Sequence, residues 1–171
     1  KYFGSGMASI LFQEIREFRS LAYTAYGVYL NRPDVTKPGF YMGYVGTQVD
    51  KTMEAVSIYL NLLKNMPKKE GRIYAIRDGL TESINTMKPG WRSQGSYVSS
   101  SLKQGYKEDP NKVKFNVYIK VQFEDIQRFY DNNIHTDKIS IAILTDKSKI
   151  NVDKLLDYGE LIELEKKNIF N

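Results

Sequence analysis

At 171 residues the chain has room for one sizeable core and little more. A composition of 42% hydrophobic and 26% charged residues is that of a folded chain, and the absence of cysteine excludes a disulfide framework and any thiolate metal site. The net charge of +5 is interleaved with 20 acidic residues. The densest basic runs, Lys68-Lys69 and Lys166-Lys167, each adjoin a glutamate, so a mixed solvated surface is expected rather than a nucleic-acid face.

No apolar run approaches the roughly 18 residues of a membrane span. The one histidine, His135, has no second imidazole with which to build a zinc site or a proton relay. Its setting, Asn132-Asn133-Ile134-His135-Thr136, reads as a polar surface loop. Lys1 is no natural start, so a piece of a longer chain is expected.

In chain order, residues 2–6 read as a loop in which Gly4 and Gly6 flank Ser5, a candidate N-cap. Apolar residues at 7, 10, 11, 15 and 18 then mark one face of a helix, with Gln13, Glu14, Glu17 and Arg19 opposite. This helix is predicted to break at Arg19-Ser20 and to run at once into a strand. Residues 23–30 and 40–46, rich in tyrosine and β-branched side chains, read as the two strands of a hairpin. The loop between them holds two prolines and an aspartate. Tyr26, Val28 and Leu30 share one face of the first strand. On the second, Phe40, Met42 and Tyr44 share one face and Tyr41 and Val45 the other. Bulk on both faces predicts a hairpin inside a covered sheet.

Asp50 reads as the N-cap of a helix with Met53, Val56, Leu60 and Leu63 on one face, ended by Pro67. A helix over 72–87 groups Ile73, Ile76, Leu80, Ile84 and Met87, and Lys88-Pro89-Gly90 ends it. A more polar helix over 91–106 is stopped by Asp109-Pro110. Short helices over 111–120 and 124–133 follow, the second with Glu124-Asp125 in its first turn. The stretch 138–145, KISIAILT, sets Ile139, Ile141 and Ile143 against Ala142 and Leu144, the pattern of a buried strand. Residues 150–156 suggest a turn of helix and 160–164 a short edge strand. With no repeat or linker, the fold class is α+β, an antiparallel sheet packed against several helices in a single domain over 1–171.

Catalytic motifs are scarce. There is no H-x-x-E-H, no G-x-S-x-G and no phosphate-binding glycine loop, so the chain alone is expected to be inactive. Arg16 and Tyr23 stand out, seven residues apart across the junction of helix and strand. They have two readings. In the first, Arg16 sits on a solvated helix face beside a glutamate, with Tyr23 in the sheet core. Alternatively, a guanidinium and a phenol converge as donors that keep their protons at neutral pH and grip a peptide carbonyl or the oxyanion it becomes.

The run Leu11-Phe12-Gln13-Glu14-Ile15-Arg16-Glu17-Phe18-Arg19-Ser20-Leu21-Ala22-Tyr23 resembles the signature of the second domain of insulinase-type (pitrilysin) zinc metallopeptidases. That family has a glycine-rich loop before a helix reading roughly Leu-Phe-x-x-(Leu/Ile)-Arg-Glu-x-Arg-Gly-Leu-Ala-Tyr. The likeness extends to Tyr44-Val45-Gly46-Thr47, to the helix from Asp50 to Leu63 and to the later order of helices and strand, but its specific part lies in residues 1–30. Ser20 departs from the family's glycine. If that site needs positive φ, serine is expected to cost up to about 1 kcal/mol.

The resemblance implies a division of labour. Arg16 and Tyr23 match the residues that reach the bound peptide from the half without zinc. This chain would be that carboxy-terminal, substrate-binding half, lacking its domain's opening strands and helix, and would carry no metal itself. Zinc, its ligands and the general base are expected on a homologous N-terminal domain, on the same chain or a separate subunit. A peptide is the expected substrate, and the incomplete sheet is expected to invite self-association of the fragment. Two other readings belong to different classes: a structural or assembly subunit on the same fold, like the core subunits of a respiratory complex, and a basic binding module. The second of these needs a clustered basic face that the sequence lacks.

Overall fold

The computed structural model describes residues 1–32, 36–134 and 136–165. His135 and the Lys166-Lys167 run lie outside the described residues. The molecule is α+β, with a two-stranded antiparallel sheet and helices packed against it.

The opening helix differs from the expected α-helix. It begins at Ile10, and residues Phe12–Glu17 form a π-helix, in which Phe18 N donates to Gln13 O five residues back. Capping falls to Ser9 rather than Ser5, for Ser9 Oγ accepts from Phe12 N at 3.3 Å. The expected apolar stripe is trimmed at both ends. Ile10, Leu11 and Ile15 are wholly buried, whereas Met7 and Phe18 are 76% and 63% exposed. The segment before the helix is tied to the sheet where Gly27 N donates to Gly4 O at 2.9 Å. A Cβ on Gly4 would lie 2.3 Å from Gly27 O, an approach only glycine permits.

Strands β1 (Ala22–Leu30) and β2 (Phe40–Thr47) pair in register from Leu30↔Phe40 to Thr24↔Gly46. Ala25, Gly27 and Tyr29 face inward, toward the helices. Gly27 and Gly43 oppose each other across the hairpin and leave a recess for two hydroxyls. There Tyr59 Oη donates to Tyr26 O at 3.1 Å, which leaves it to accept from Tyr41 Oη at 2.5 Å. Burial pushes the Tyr59 phenol up to about 12 and the Tyr41 phenol higher, so both stay protonated.

The outer face corrects the expectation of a covered sheet. Tyr26, Val28, Phe40, Met42 and Tyr44 are all exposed, with Tyr26 and Tyr44 stacked at 5.3 Å. Among the described residues no third strand joins the sheet. Residues 138–145 are neither strand nor buried; Ile139, Ile141 and Leu144 face solvent. Residues 160–164 form no edge strand either. Alternating apolar residues make a strand only when another segment pairs with them, and none pairs with these among the described residues.

Helix α1 (Thr52–Lys64) buries Ala55, Tyr59, Leu62 and Leu63 rather than the face through Met53, Val56 and Leu60, because Tyr59 is needed under the hairpin. Asp50 does not cap it but sits inside a preceding 3-10 turn, Val49–Lys51. Helix α2 (Ile73–Thr86) buries Ile73 and Ile76, and Met87 is exposed beyond its end. The polar helix is split into a 3-10 turn at Trp91–Ser93 and α3 (Gln94–Lys103). Asp109-Pro110 starts α4 (Pro110–Tyr118) rather than merely stopping α3: Asp109 Oδ1 accepts from Asn111 N, with Pro110 at the first position. Helix α5 (Phe123–Asn133) opens with a capping box between Gln122 and Asp125, and the acidic pair lies in its first turn as expected. A 3-10 segment, Asp153–Tyr158, replaces the turn of helix at 150–156.

The core joins the opening helix, β1, α1, α2 and α5 through Ile10, Leu11, Ile15, Ala25, Tyr59, Ile76 and Phe123. Tyr2 locks the amino-terminal segment into it. Its Oη donates to Pro67 O at 2.5 Å and accepts from Lys69 N at 2.8 Å, and its ring meets Phe123 edge-on.

Candidate functional site

Three departures from regular backbone follow one another between Phe12 and Thr24. The first is the π-turn that carries Arg16. The second is Ser20, the one non-glycine residue with positive φ among those described, at 47°. Ser20 N donates to Arg16 O at 3.0 Å and Leu21 N to Ile15 O at 3.0 Å, which closes the helix and swings the chain into β1. The third is an irregular register between Ala22 and Thr24.

This last feature decides where Tyr23 points. With Ala25 and Gly27 inward, strict alternation would send Tyr23 into the core as well. The extra residue lets Ala22 take the inward position, 7% exposed, and leaves Tyr23 83% exposed. Of the two readings of the sequence, the one that put Tyr23 in the sheet core does not hold.

Arg16 turns toward it. Its Cζ lies 5.4 Å from the Tyr23 ring centroid and 4.7 Å from that of Phe12. Its side chain is 42% exposed. Among the described residues, the one carboxylate near it is Glu17, at 3.8 Å, too long for a hydrogen bond. Glu14, the other glutamate on the helix, is committed elsewhere: it accepts from Lys69 Nζ and Arg19 Nη1, each at 2.8 Å. Those two bonds hold its carboxyl below the ordinary carboxylate value of 4.5. Arg19 also donates to Glu14 O at 2.6 Å, so Glu14, Arg19 and Lys69 clamp the helix end to the loop after α1.

Among the described residues, then, neither the Arg16 guanidinium nor the Tyr23 hydroxyl is hydrogen-bonded to protein. A guanidinium and an exposed phenol ring lie against each other on an open surface. The arrangement suits an acceptor with more than one lone pair, such as a carbonyl oxygen or an oxyanion. Two hollows lie elsewhere: one of about 290 Å³ behind the hairpin, beside Tyr41 and Tyr130, and one of about 610 Å³ beside Asp109 and Phe115. Neither is lined by Arg16 or Tyr23.

Sequence reasoning found Arg16 and Tyr23 but missed Phe12 and the Glu14 clamp. The spacing of Phe12 and Arg16, four apart on one helix, was the available signal for the first. Lys69 is 55 residues from Glu14, and nothing local announces that pairing. Among the described residues no group of three or more histidine, aspartate or glutamate side chains is placed to hold a metal ion. No helix there is long and apolar enough to cross a membrane. No protein-family model matches this chain, and no curated protein matches it at a significant level.

Proposed function

We propose that this chain is the substrate-binding, non-zinc half of a zinc-dependent metalloendopeptidase of the insulinase type. Its part is to supply Arg16 and Tyr23 to the scissile carbonyl of a peptide held in a chamber. One observation carries the reading: the Arg16 guanidinium lies against the exposed ring of Tyr23 where π-helix, Ser20 turn and bulged strand meet. A buried or diverging pair would have removed it.

The described residues offer no metal ligand set. On this reading, zinc, its ligands and the general base lie on a homologous domain facing this surface, as the resemblance implies. The Arg16 guanidinium offers up to five N–H donors in one plane, and the Tyr23 phenol offers one O–H. Both bind a carbonyl oxygen weakly and an oxyanion strongly, so their contribution grows as negative charge develops. Open placement fits this division, because a wall of a closed chamber is exposed until the other half covers it. Main-chain pairing of the peptide with a sheet edge of the zinc domain would carry much of the binding.

The test uses the assembled enzyme, this chain with its zinc-bearing half. Arg16→Ala and Tyr23→Phe are each expected to lower kcat by about 100- to 1000-fold, the usual cost of one oxyanion donor. Thermal stability should hardly move, since neither side chain is packed in the core. If both variants cleave peptide within twofold of wild type, the reading is wrong and a structural or assembly role takes its place.

A further inference from the structure

We infer that Phe12 is a positioning residue for Arg16, a role that rests on the peptidase reading above. Its ring centroid lies 4.7 Å from Arg16 Cζ, nearer than the ring of Tyr23 at 5.4 Å. Phe12 is also the better anchored of the two rings. It is half-buried, its N donates to Ser9 Oγ, and its helix buries Ile10, Leu11 and Ile15 completely. Tyr23 projects into solvent.

The chemistry explains why a ring serves where a carboxylate would not. The five N–H donors of a guanidinium lie in its plane. A carboxylate orients the group by occupying two of them, whereas an aromatic ring attracts the cation and leaves the donors free. Glu14, two residues from Arg16 and on another face of the helix, is bonded by Arg19 and Lys69, and Glu17 stays beyond hydrogen-bond distance. Arg16 is thus held in place with its donors still available to a substrate oxygen.

Two measurements test this together. In the chain alone, the Arg16 Nε–Hε resonance should be displaced by ring current. Phe12→Leu should move it most of the way toward the position of a solvated arginine, the remainder being the contribution of the Tyr23 ring, and Phe12→Tyr should keep it displaced, with Arg19 Nε–Hε as the internal reference. In the assembled enzyme, Phe12→Leu should lower kcat about three- to tenfold with KM little changed, and Phe12→Tyr should restore it. An Arg16 resonance indifferent to Phe12→Leu overturns the positioning role whatever the kinetics show. A moved resonance with kcat within twofold overturns it too, provided Arg16→Ala is severe. If Arg16→Ala itself is silent, the peptidase reading fails and this inference falls with it.

Discussion

At the scale of single residues, Ser20 pays a conformational penalty that its neighbours use. At φ 47° its Cβ crowds the following carbonyl, yet this conformation turns the chain from the Arg16 helix into the strand carrying Tyr23. The sequence resemblance pointed to this site as one where glycine is usual, and the backbone has the sign that glycine favours. Ser20→Gly is expected to raise unfolding stability by up to about 1 kcal/mol, measured by urea denaturation, with the Arg16–Tyr23 contact unchanged. A loss of stability would mean that the serine makes an interaction outweighing its strain. Tyr23 makes a complementary point. Its exposure follows from one surplus residue at Ala22–Thr24, and period-2 reasoning applied to the strand alone would have buried it.

At the scale of elements, the clamp on the opening helix is electrostatic and therefore depends on pH. Glu14 has a folded pKa below its ordinary value of 4.5 because Lys69 and Arg19 hydrogen-bond its charged form. The stabilisation is therefore complete above the unfolded value and is lost as pH falls through the lower, folded one. Melting temperatures followed from pH 7 down to about 3 should show wild type losing more stability below about 4.5 than Glu14→Gln does. Parallel curves would show that the two ion pairs contribute nothing. The hairpin is fastened differently. Tyr59→Phe removes both the donor to Tyr26 O and the acceptor for Tyr41 Oη, and is expected to cost about 1–3 kcal/mol in denaturant unfolding. A cost below about 0.5 kcal/mol would show that the paired hydroxyls are not a constraint.

These elements also show what a linear reading reaches. The hairpin was legible within a residue at either end of each strand, since alternation, tyrosines and the intervening prolines are local signals. The π-turn was not, because an apolar stripe at 10, 11 and 15 suits i+4 and i+5 closure alike. Nor was the choice of Tyr59 over Leu60 as the buried residue of α1, which depends on the recess at Gly27 and Gly43 across the sheet. Residues 138–145 carry a strand's sequence without a strand's partner, and pairing is a property of two segments.

At the scale of the whole molecule, the sheet is the least finished part. Strand β2, FYMGYVGT, has no charge and no proline along it, none of the devices that usually blunt an edge, and its outer face leaves Phe40, Met42 and Tyr44 exposed. We expect the isolated chain to self-associate through this edge at high concentration. Sedimentation velocity should show a larger species, and Met42→Lys or Tyr44→Lys should remove it; a concentration-independent monomer would refute this. A covering surface on another domain would meet the same need, in keeping with the proposed role as half of a chamber.

The most direct measurement of that central claim is the structure of the proposed peptidase, this chain with its zinc-bearing half, bound to a peptide analogue with a tetrahedral oxyanion at the cleavage position. The account predicts a guanidinium nitrogen of Arg16 and Tyr23 Oη within about 3 Å of the analogue's oxygens. An analogue bound with both side chains turned away, or with either more than about 6 Å from any of those oxygens, would contradict it.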